Sequence, residues 1–209
     1  MQKVYKEMKR ILMKVKKFNA ERDKETQLYP ALMHEFTDPD LSCLTGHKTG
    51  MAGHFLFLFN LTREINAQHI VEIGFGGANS AMVFMLALKE TGGHLTSIDI
   101  NPSPIAIQKI EAMELMSQFH VICGASQDVW DQVQPEIDIL LIDGKHSYNQ
   151  CKLDYKLYEP LVKTGGFILF HDSATIKGVI QFTTELKKRV HECLQLPYSN
   201  GLFVMRKTW

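Results

Sequence analysis

The chain has 209 residues, of which 45% are hydrophobic and 10% aromatic, enough for a sizeable buried core. Its 23 basic and 23 acidic residues balance, so net charge does not direct the whole chain to nucleic acid or to a membrane surface. No apolar run is long enough to span a membrane, and the four cysteines form no CxxC pair. These features argue against a transmembrane protein, a disulfide scaffold and a structural zinc site, and they predict a soluble cytoplasmic protein.

The first 25 residues predict a basic amphipathic helix. Apolar residues recur at helical spacing from Val4 to Val15, and lysines and an arginine occupy the other face. Such a helix can touch RNA or lipid, but the simpler interpretation is a helix docked to its own domain or to a second subunit, which leaves a homodimer open. We place this helix and a turn-rich linker in residues 1–45, and a main domain in residues 46–209.

After a predicted helix over about residues 51–66, strands and helices alternate. This alternation, with continuously apolar strands, predicts a parallel sheet covered on both faces. Ser147 and Gln150 have the spacing of a capping box at the start of a helix. The predicted strands are HIVEIGF, HLTSIDI, HVICGA, IDILLID and GFILFHD, and the predicted helices cover residues 80–91, 104–118, 127–134, 147–163 and 175–192.

The end of the chain departs from the alternation. Two strand-like runs flank Ser199-Asn200-Gly201, and Asn-Gly is a strong hairpin signal. The last strand should therefore be antiparallel. The prediction is an α/β, doubly wound, Rossmann-like fold with a seven-stranded, mostly parallel sheet and an antiparallel C-terminal strand.

A glycine loop, VEIGFGGANS, follows the first of these strands and opens a helix. Gly74 and Gly76 allow the backbone to turn tightly and to approach a ligand. A dehydrogenase fingerprint would have a third glycine at position 79, where this chain has Asn79, and this weakens an NAD-binding interpretation. Asp99, 25 residues after Gly74, ends the next strand and suits a bond to both ribose hydroxyls, although a turn aspartate before Asn101 is the alternative.

Three motifs together resemble the class I S-adenosylmethionine-dependent methyltransferases. They are Glu72-x-Gly74-x-Gly76, the segment from Asp99 to Pro102, and GASQD at residues 124–128. The resemblance is strongest to the catechol O-methyltransferase group and to the related metal-dependent sugar and macrolide O-methyltransferases. It runs from about residue 46 to residue 166, GASQD is its most specific piece, and GHKTG at residues 46–50 also matches in position. The antiparallel last strand agrees with that family.

The resemblance implies S-adenosylmethionine as the cofactor and a role for each matching residue. The family's third glycine is Ala78 here, a small change. By this resemblance Glu72 and Gly74 lie by the methionine part of the cofactor, with Gly76 in the same loop, and Ser80 bonds the methionine carboxylate. Asp99 holds the ribose, and Ser126 and Gln127 contact the adenine. Asp143 lies below the methyl-bearing end of the cofactor, and Thr45 helps to close the pocket.

The reacting end is predicted at the ends of the fourth and fifth strands. Asp143 follows one, and His171 and Asp172 end the other, so that strands about 4.8 Å apart bring these side chains together. The family has a metal site of this composition, with one acid after the fourth strand and a pair after the fifth. Oxygen ligands favour Mg²⁺, while a histidine shifts the preference toward Mn²⁺, Fe²⁺ or Zn²⁺. For His171, a role in orienting a ligand, or a purely structural role, is as open as metal ligation.

A base candidate follows Asp143 by three residues. The catechol group has a lysine at this position and macrolide relatives a histidine, and this chain has His146. A histidine titrates near neutral pH, which suits a general base. Lys145 is the second candidate, and the alternative for His146 is a helix-start residue that bonds local backbone.

The predicted function is methyl transfer from S-adenosylmethionine to a hydroxyl of a small-molecule acceptor, with a divalent metal and a histidine base. Alternatives are a binding protein that keeps the cofactor fold without the chemistry, and a methyltransferase acting on RNA or protein through the basic helix. The loop from Asp143 to His146 lacks the Asn/Asp-Pro-Pro-Tyr pattern of base N-methylation, so nucleic acid is disfavoured as a partner.

Overall fold

The computed structural model describes residues 50–209 of the chain. They form a seven-stranded sheet with strand order β3-β2-β1-β4-β5-β7-β6. The strands are β1 (His69–Ile73), β2 (His94–Asp99), β3 (Phe119–Cys123), β4 (Ile137–Ile142), β5 (Val162–His171), β6 (Cys193–Leu196) and β7 (Leu202–Arg206). The helices are α1 (Phe55–Glu64), α2 (Asn79–Thr91), α3 (Pro104–Glu111), α4 (Ser126–Val129), α5 (Tyr148–Tyr158) and α6 (Lys177–Lys187).

The central strands are buried on both faces. Every residue of β1 and of β4 is buried, as expected for strands that read as continuous apolar runs. Alternate residues serve opposite faces: Ile139 and Leu141 pack in the apolar core with α1 and α2, whereas Leu140 and Ile142 pack in the core with α5 and α6. The sheet is thus covered by a layer of helices on each face.

The topology confirms the predicted doubly wound fold. Strands β1 to β5 pair in parallel, and β7 inserts between β5 and β6 and runs antiparallel to both. The strand order reverses next to β1, which has β2 on one side and β4 on the other. In open α/β sheets a ligand crevice forms outside the carboxyl ends of the strands at this switch point.

Most predicted helices are shorter than their sequence patterns, among them those expected over 51–66, 127–134 and 147–163, which cover Phe55–Glu64, Ser126–Val129 and Tyr148–Tyr158. The one expected over 104–118 ends at Glu111, because Glu114 has a φ of 58° that no right-handed helix accommodates, and a separate 3₁₀ turn follows at Met116–Gln118. The one expected over 175–192 covers only Lys177–Lys187. Three further 3₁₀ turns lie at Ala52–His54, Trp130–Gln132 and Glu159–Leu161.

The predicted capping box at the start of α5 forms only half. Ser147 Oγ accepts a hydrogen bond from the backbone N–H of Gln150 at 3.3 Å, as predicted. The Gln150 side chain does not reach back to Ser147. Its amide nitrogen instead lies 2.9 Å from Asp154 Oδ1, where a carboxylate is the better acceptor.

The predicted C-terminal hairpin is present, and its turn reaches the ligand crevice. Ser199 and Asn200 both have positive φ, 47° and 67°, as the two central residues of a type I′ turn do. The N–H of Gly201 closes the turn on Tyr198 O at 2.7 Å. None of the helices within residues 50–209 has the length and apolar character needed to cross a bilayer. The N-terminal helix, the boundary at residue 45 and Thr45 lie outside the described residues.

Candidate active site

A cavity of about 700 Å³ opens at the carboxyl ends of the parallel strands. Its walls come from the loops after β1 to β5 and from the turn between β6 and β7. This volume lies within the range of cofactor and small-molecule sites. Most of the predicted site residues line it: Gly74, Gly76, Ser80, Asp99, Ser126, Gln127, Asp143, Lys145, His146, His171 and Asp172.

The glycine loop after β1 has the geometry that its sequence predicts. Gly74 has a φ of 102°, and a β-carbon there would overlap the carbonyl of Asp143. Gly76 has a φ of 47°, and a β-carbon there would meet nothing within 4 Å. Gly74 therefore allows two strand ends to touch, whereas Gly76 leaves the cavity open for a ligand.

Asp99 braces this loop from the end of β2. Its Oδ2 accepts the backbone N–H groups of Phe75 and Gly76, each at 3.0 Å. Its Oδ1 accepts the N–H of Asn101 at 2.9 Å, which is the turn bond of the alternative interpretation. Each carboxylate oxygen can accept more than one hydrogen bond, so Asp99, which lines the cavity, can hold the loop and still accept from a ligand.

Glu72 is fully buried in β1 and is not part of the cavity wall. Its carboxyl oxygens accept the hydroxyls of Ser80 at 2.6 Å and Ser97 at 2.5 Å. Burial, opposed by these two bonds, raises the pKa of Glu72 from its ordinary 4.5 to about 7. Glu72 thus reaches the cavity through Ser80, which lines it.

A polar cluster forms the cavity wall beyond β3. Ser126 Oγ donates to Asp154 Oδ1 at 2.6 Å, and Gln150 Nε2 lies 3.3 Å from Ser126 Oγ and 3.2 Å from Gln127 Oε1. Asp154 itself is fully buried on α5. Burial, opposed by the bonds from Ser126 and Gln150, raises the pKa of Asp154 above its ordinary value.

At the other end of the cavity, His171 is held by two partners. Its Nδ1 lies 3.0 Å from Asp143 Oδ1, and its Nε2 lies 3.2 Å from the carbonyl oxygen of Ser199. Burial disfavours the charged ring, but the hydrogen bond and charge of Asp143 and the charge of Asp172 outweigh it and raise the pKa of His171. With both nitrogens engaged, His171 fits a residue that orients Asp143 better than a direct metal ligand.

His146 pairs instead with Asp172. His146 Nε2 lies 3.3 Å from Asp172 Oδ2, and the His146 side chain is 39% exposed. Asp172 has a φ of 58°, a backbone conformation that a non-glycine residue rarely adopts and that often marks functional sites. One ligand atom from each of Asp143, His146 and Asp172 lies within 4.8 Å of the others, so the three side chains could hold one metal ion. This set differs from the predicted one in having His146 where His171 was expected.

Comparison with known proteins agrees with this geometry. Residues 71–173 match the family model of a methyltransferase domain. Uncharacterized protein R132 of Acanthamoeba polyphaga mimivirus is 30% identical over 162 residues, which cover 70% of this chain and 71% of that protein. The chain belongs to the class I S-adenosylmethionine-dependent methyltransferases.

Solved structures share the fold of this methyltransferase. A Staphylococcus aureus protein provisionally assigned as a caffeoyl-CoA O-methyltransferase superposes with a TM-score of 0.67 at 19% identity, covering 93% of this chain and 99% of its own. The O-methyltransferase TomG of Streptomyces achromogenes, in complex with S-adenosylmethionine, superposes with a TM-score of 0.65 at 18% identity, covering 82% of this chain and 91% of TomG.

A second sequence relative is matched only over a short segment. Uncharacterized protein y4gI of Sinorhizobium fredii (strain NBRC 101917 / NGR234) is 33% identical over 69 residues, and the match spans only 8% of the length of y4gI.

Three residues that line the cavity or contact its lining residues escaped prediction. Asp154 lies on the buried face of α5 with Cys151 and Tyr158, and this helical spacing is a signal that could have located it. His54 lies edge-on to His171 with ring centroids 5.9 Å apart, and burial, followed by the charge of His171, lowers its pKa to about 4. Asn200 lines the cavity from the hairpin turn, and no local pattern indicates that contact.

Proposed function

We propose that this methyltransferase moves the methyl group of S-adenosylmethionine to a hydroxyl of a small-molecule acceptor, with His146 as the base. The observation that carries the proposal is the pair of His146 and Asp172 on the cavity wall beside Asp143. The likeness in fold to O-methyltransferases, one of them bound to S-adenosylmethionine, supports it.

The reaction sets the demands on the site. Methyl transfer is an in-line displacement at a sulfonium whose leaving group is already activated, so the protein must supply position and a deprotonated acceptor. A hydroxyl whose pKa is well above neutral needs a base in hydrogen-bonding reach. In this proposal the proton leaves at the ends of β4 and β5, where His146 and Asp172 lie.

His146 is suited to take that proton. Asp172 Oδ2, 3.3 Å from Nε2, favours the tautomer that carries its proton on Nε2. Nδ1 is then free to accept the proton of the acceptor hydroxyl. A carboxylate that orients an imidazole in this way also stabilises the imidazolium that forms.

The donor set at this end also fits a divalent cation. The carboxylates of Asp143 and Asp172 offer ligand oxygens within 4.8 Å of each other, which Mg²⁺ or Mn²⁺ accept; with His146 as a third ligand in place of its role as base, Fe²⁺ or Zn²⁺ would also fit. We assign Asp143 and Asp172 as its ligands and His171 as the residue that orients Asp143. A cation held there would stabilise the negative charge that develops on the acceptor oxygen.

Two measurements test the function. Calorimetry with S-adenosylmethionine, S-adenosylhomocysteine and NAD should give binding to the first two only. A panel of catechols, phenols and sugar hydroxyls is then incubated with S-adenosylmethionine, and S-adenosylhomocysteine and methylated product are followed by mass spectrometry. Cofactor binding with no product from any hydroxyl acceptor, but methylation of RNA or protein, would overturn the choice of acceptor.

A further inference from the structure

Asp154 is a buried carboxylate that helix packing alone does not explain. Its neighbours on the buried face of α5, Cys151 and Tyr158, belong to the apolar core. Its Oδ1 accepts two hydrogen bonds, whereas its Oδ2 has no hydrogen-bond partner within the described residues. Burying an acid in this way costs stability. Ser126 and Gln150, which bond to Asp154, line the cavity, so a role of Asp154 in shaping the cavity wall would explain why this costly buried acid is present.

Asp154 decides the direction of the hydrogen bonds in front of it. A carboxylate oxygen only accepts, so the hydroxyl hydrogen of Ser126 is committed to Oδ1 at 2.6 Å. The same oxygen draws the amide nitrogen of Gln150, rather than its amide oxygen, to 2.9 Å. Ser126 Oγ consequently has no hydrogen left to offer; Gln150 Nε2, at 3.3 Å, takes one of its two lone pairs, and the other can accept a hydrogen bond from a ligand in the cavity that Ser126 lines.

The position of Ser126 indicates which part of the cofactor it meets. Ser126 follows β3 and Asp143 follows β4, and these two strands lie three strand spacings, about 14 Å, apart in the sheet. When the sulfonium faces Asp143, the base at the other end of the cofactor lies toward Ser126. Asp99, which follows the intervening β2, is then at the ribose.

We propose that Asp154 is a positioning residue which holds Ser126 Oγ as an acceptor and so selects a purine with a 6-amino group over one with a 6-oxo group. This inference rests on the proposed use of S-adenosylmethionine. The 6-amino group of adenine donates to Ser126 Oγ. The 6-oxo group of hypoxanthine would place an acceptor against an acceptor and leave both without a hydrogen.

The test compares S-adenosylhomocysteine with S-inosylhomocysteine, in which oxygen replaces the 6-amino group. Calorimetry on the wild-type protein should show S-adenosylhomocysteine binding at least roughly tenfold more tightly, the effect of one polar group left unpaired. In Asp154→Asn the amide can donate to Ser126 Oγ and release its hydroxyl hydrogen. The ratio of the two dissociation constants should then fall toward one. Asp131→Asn, at an exposed carboxylate outside the cavity wall, is the matched control and should keep the wild-type ratio.

The possible outcomes separate the inference from the function on which it rests. Equal wild-type affinity for the two ligands overturns the inference and leaves the function standing, whereas binding of neither overturns the function. If Asp154→Asn weakens both ligands by the same factor, Asp154 is only structural. Ser126→Ala removes the accepting oxygen but keeps the buried carboxylate of Asp154. It should also bring the ratio of the two dissociation constants closer to one. This second variant tests the proposal even if Asp154→Asn fails to fold. An unchanged ratio in Ser126→Ala contradicts it.

Discussion

The α-carbon of Gly74 packs against the backbone carbonyl of Asp143, with no room for a β-carbon between them. This contact joins the glycine loop after β1 to the end of β4, where the proposed reacting groups begin. The N–H of Asp143 in turn donates to Ile73 O at 2.9 Å. The glycine loop and the backbone of Asp143 are therefore held together by direct contacts.

Gly74→Ala should destabilise the fold and impair cofactor binding. Alanine would have to adopt a φ of 102° and also displace the Asp143 carbonyl, which together should cost about 2–5 kcal/mol in the free energy of unfolding. Gly92→Ala is the matched control, because Gly92 also has a positive φ, 80°, but has open space around it and should lose only about 1 kcal/mol. Urea denaturation measures both, and equal losses would show that the Asp143 contact is unimportant.

His146→Ala should lower kcat by about 10²–10⁴-fold, the usual contribution of a general base, while calorimetry gives unchanged affinity for S-adenosylmethionine. Asp172→Asn should lower kcat in the same direction because it no longer fixes the His146 tautomer. The control is His191→Ala, at an exposed histidine that does not line the cavity. A His146→Ala protein that also stops binding divalent metal would show that His146 is a ligand instead of the base.

Asp143→Asn should weaken the binding of Mn²⁺, measured by calorimetry on the protein without acceptor. The substitution replaces a charged ligand oxygen by a neutral amide and also weakens the bond to His171 Nδ1. Turnover should fall in parallel, and EDTA should abolish wild-type turnover in a way that added metal restores. Wild-type turnover that is indifferent to EDTA would leave His146, paired with Asp172, as a base in a metal-free reaction.

Glu72 should make stability depend on pH. Its folded pKa, raised by burial to about 7, exceeds the ordinary 4.5, so the folded protein retains a proton that the unfolded chain releases. The contribution of this proton to the free energy of unfolding is fully present below about pH 4.5 and is lost as the pH rises to about 7, a change of about 3 kcal/mol. Glu72→Gln cannot ionise and should gain stability relative to wild type between pH 5 and pH 8. Urea denaturation of both proteins at the two pH values without cofactor measures this, and a constant difference would contradict the raised pKa.

The periodicity of apolar residues predicted the sheet, and the rule that ligands bind at the carboxyl ends of parallel strands predicted where the candidate site residues lie. Continuously apolar strands indicated burial on both faces, and Gly74, Asp99 and Asp143 follow strands whose ends must meet. Such patterns place a residue at an edge but do not say which partner its side chain selects. His171 points to Asp143 and Ser199, and Gln150 points to Asp154, because of distances between elements far apart in the chain. Those choices become visible only once the elements pack.

The insertion of β7 between β5 and β6 has a consequence for the order in which the protein can be assembled. During synthesis, residues 162–171 leave the ribosome before residues 202–206, which pair with them along Phe167 to His171. Until then the strand that ends in His171 presents an unpaired, apolar edge, a template for pairing with other chains. His171, which contacts the hairpin at Ser199 and pairs with Leu202, thus reaches its final environment only after β7 has been synthesised, and a nascent chain stopped before residue 202 should be a target for chaperones.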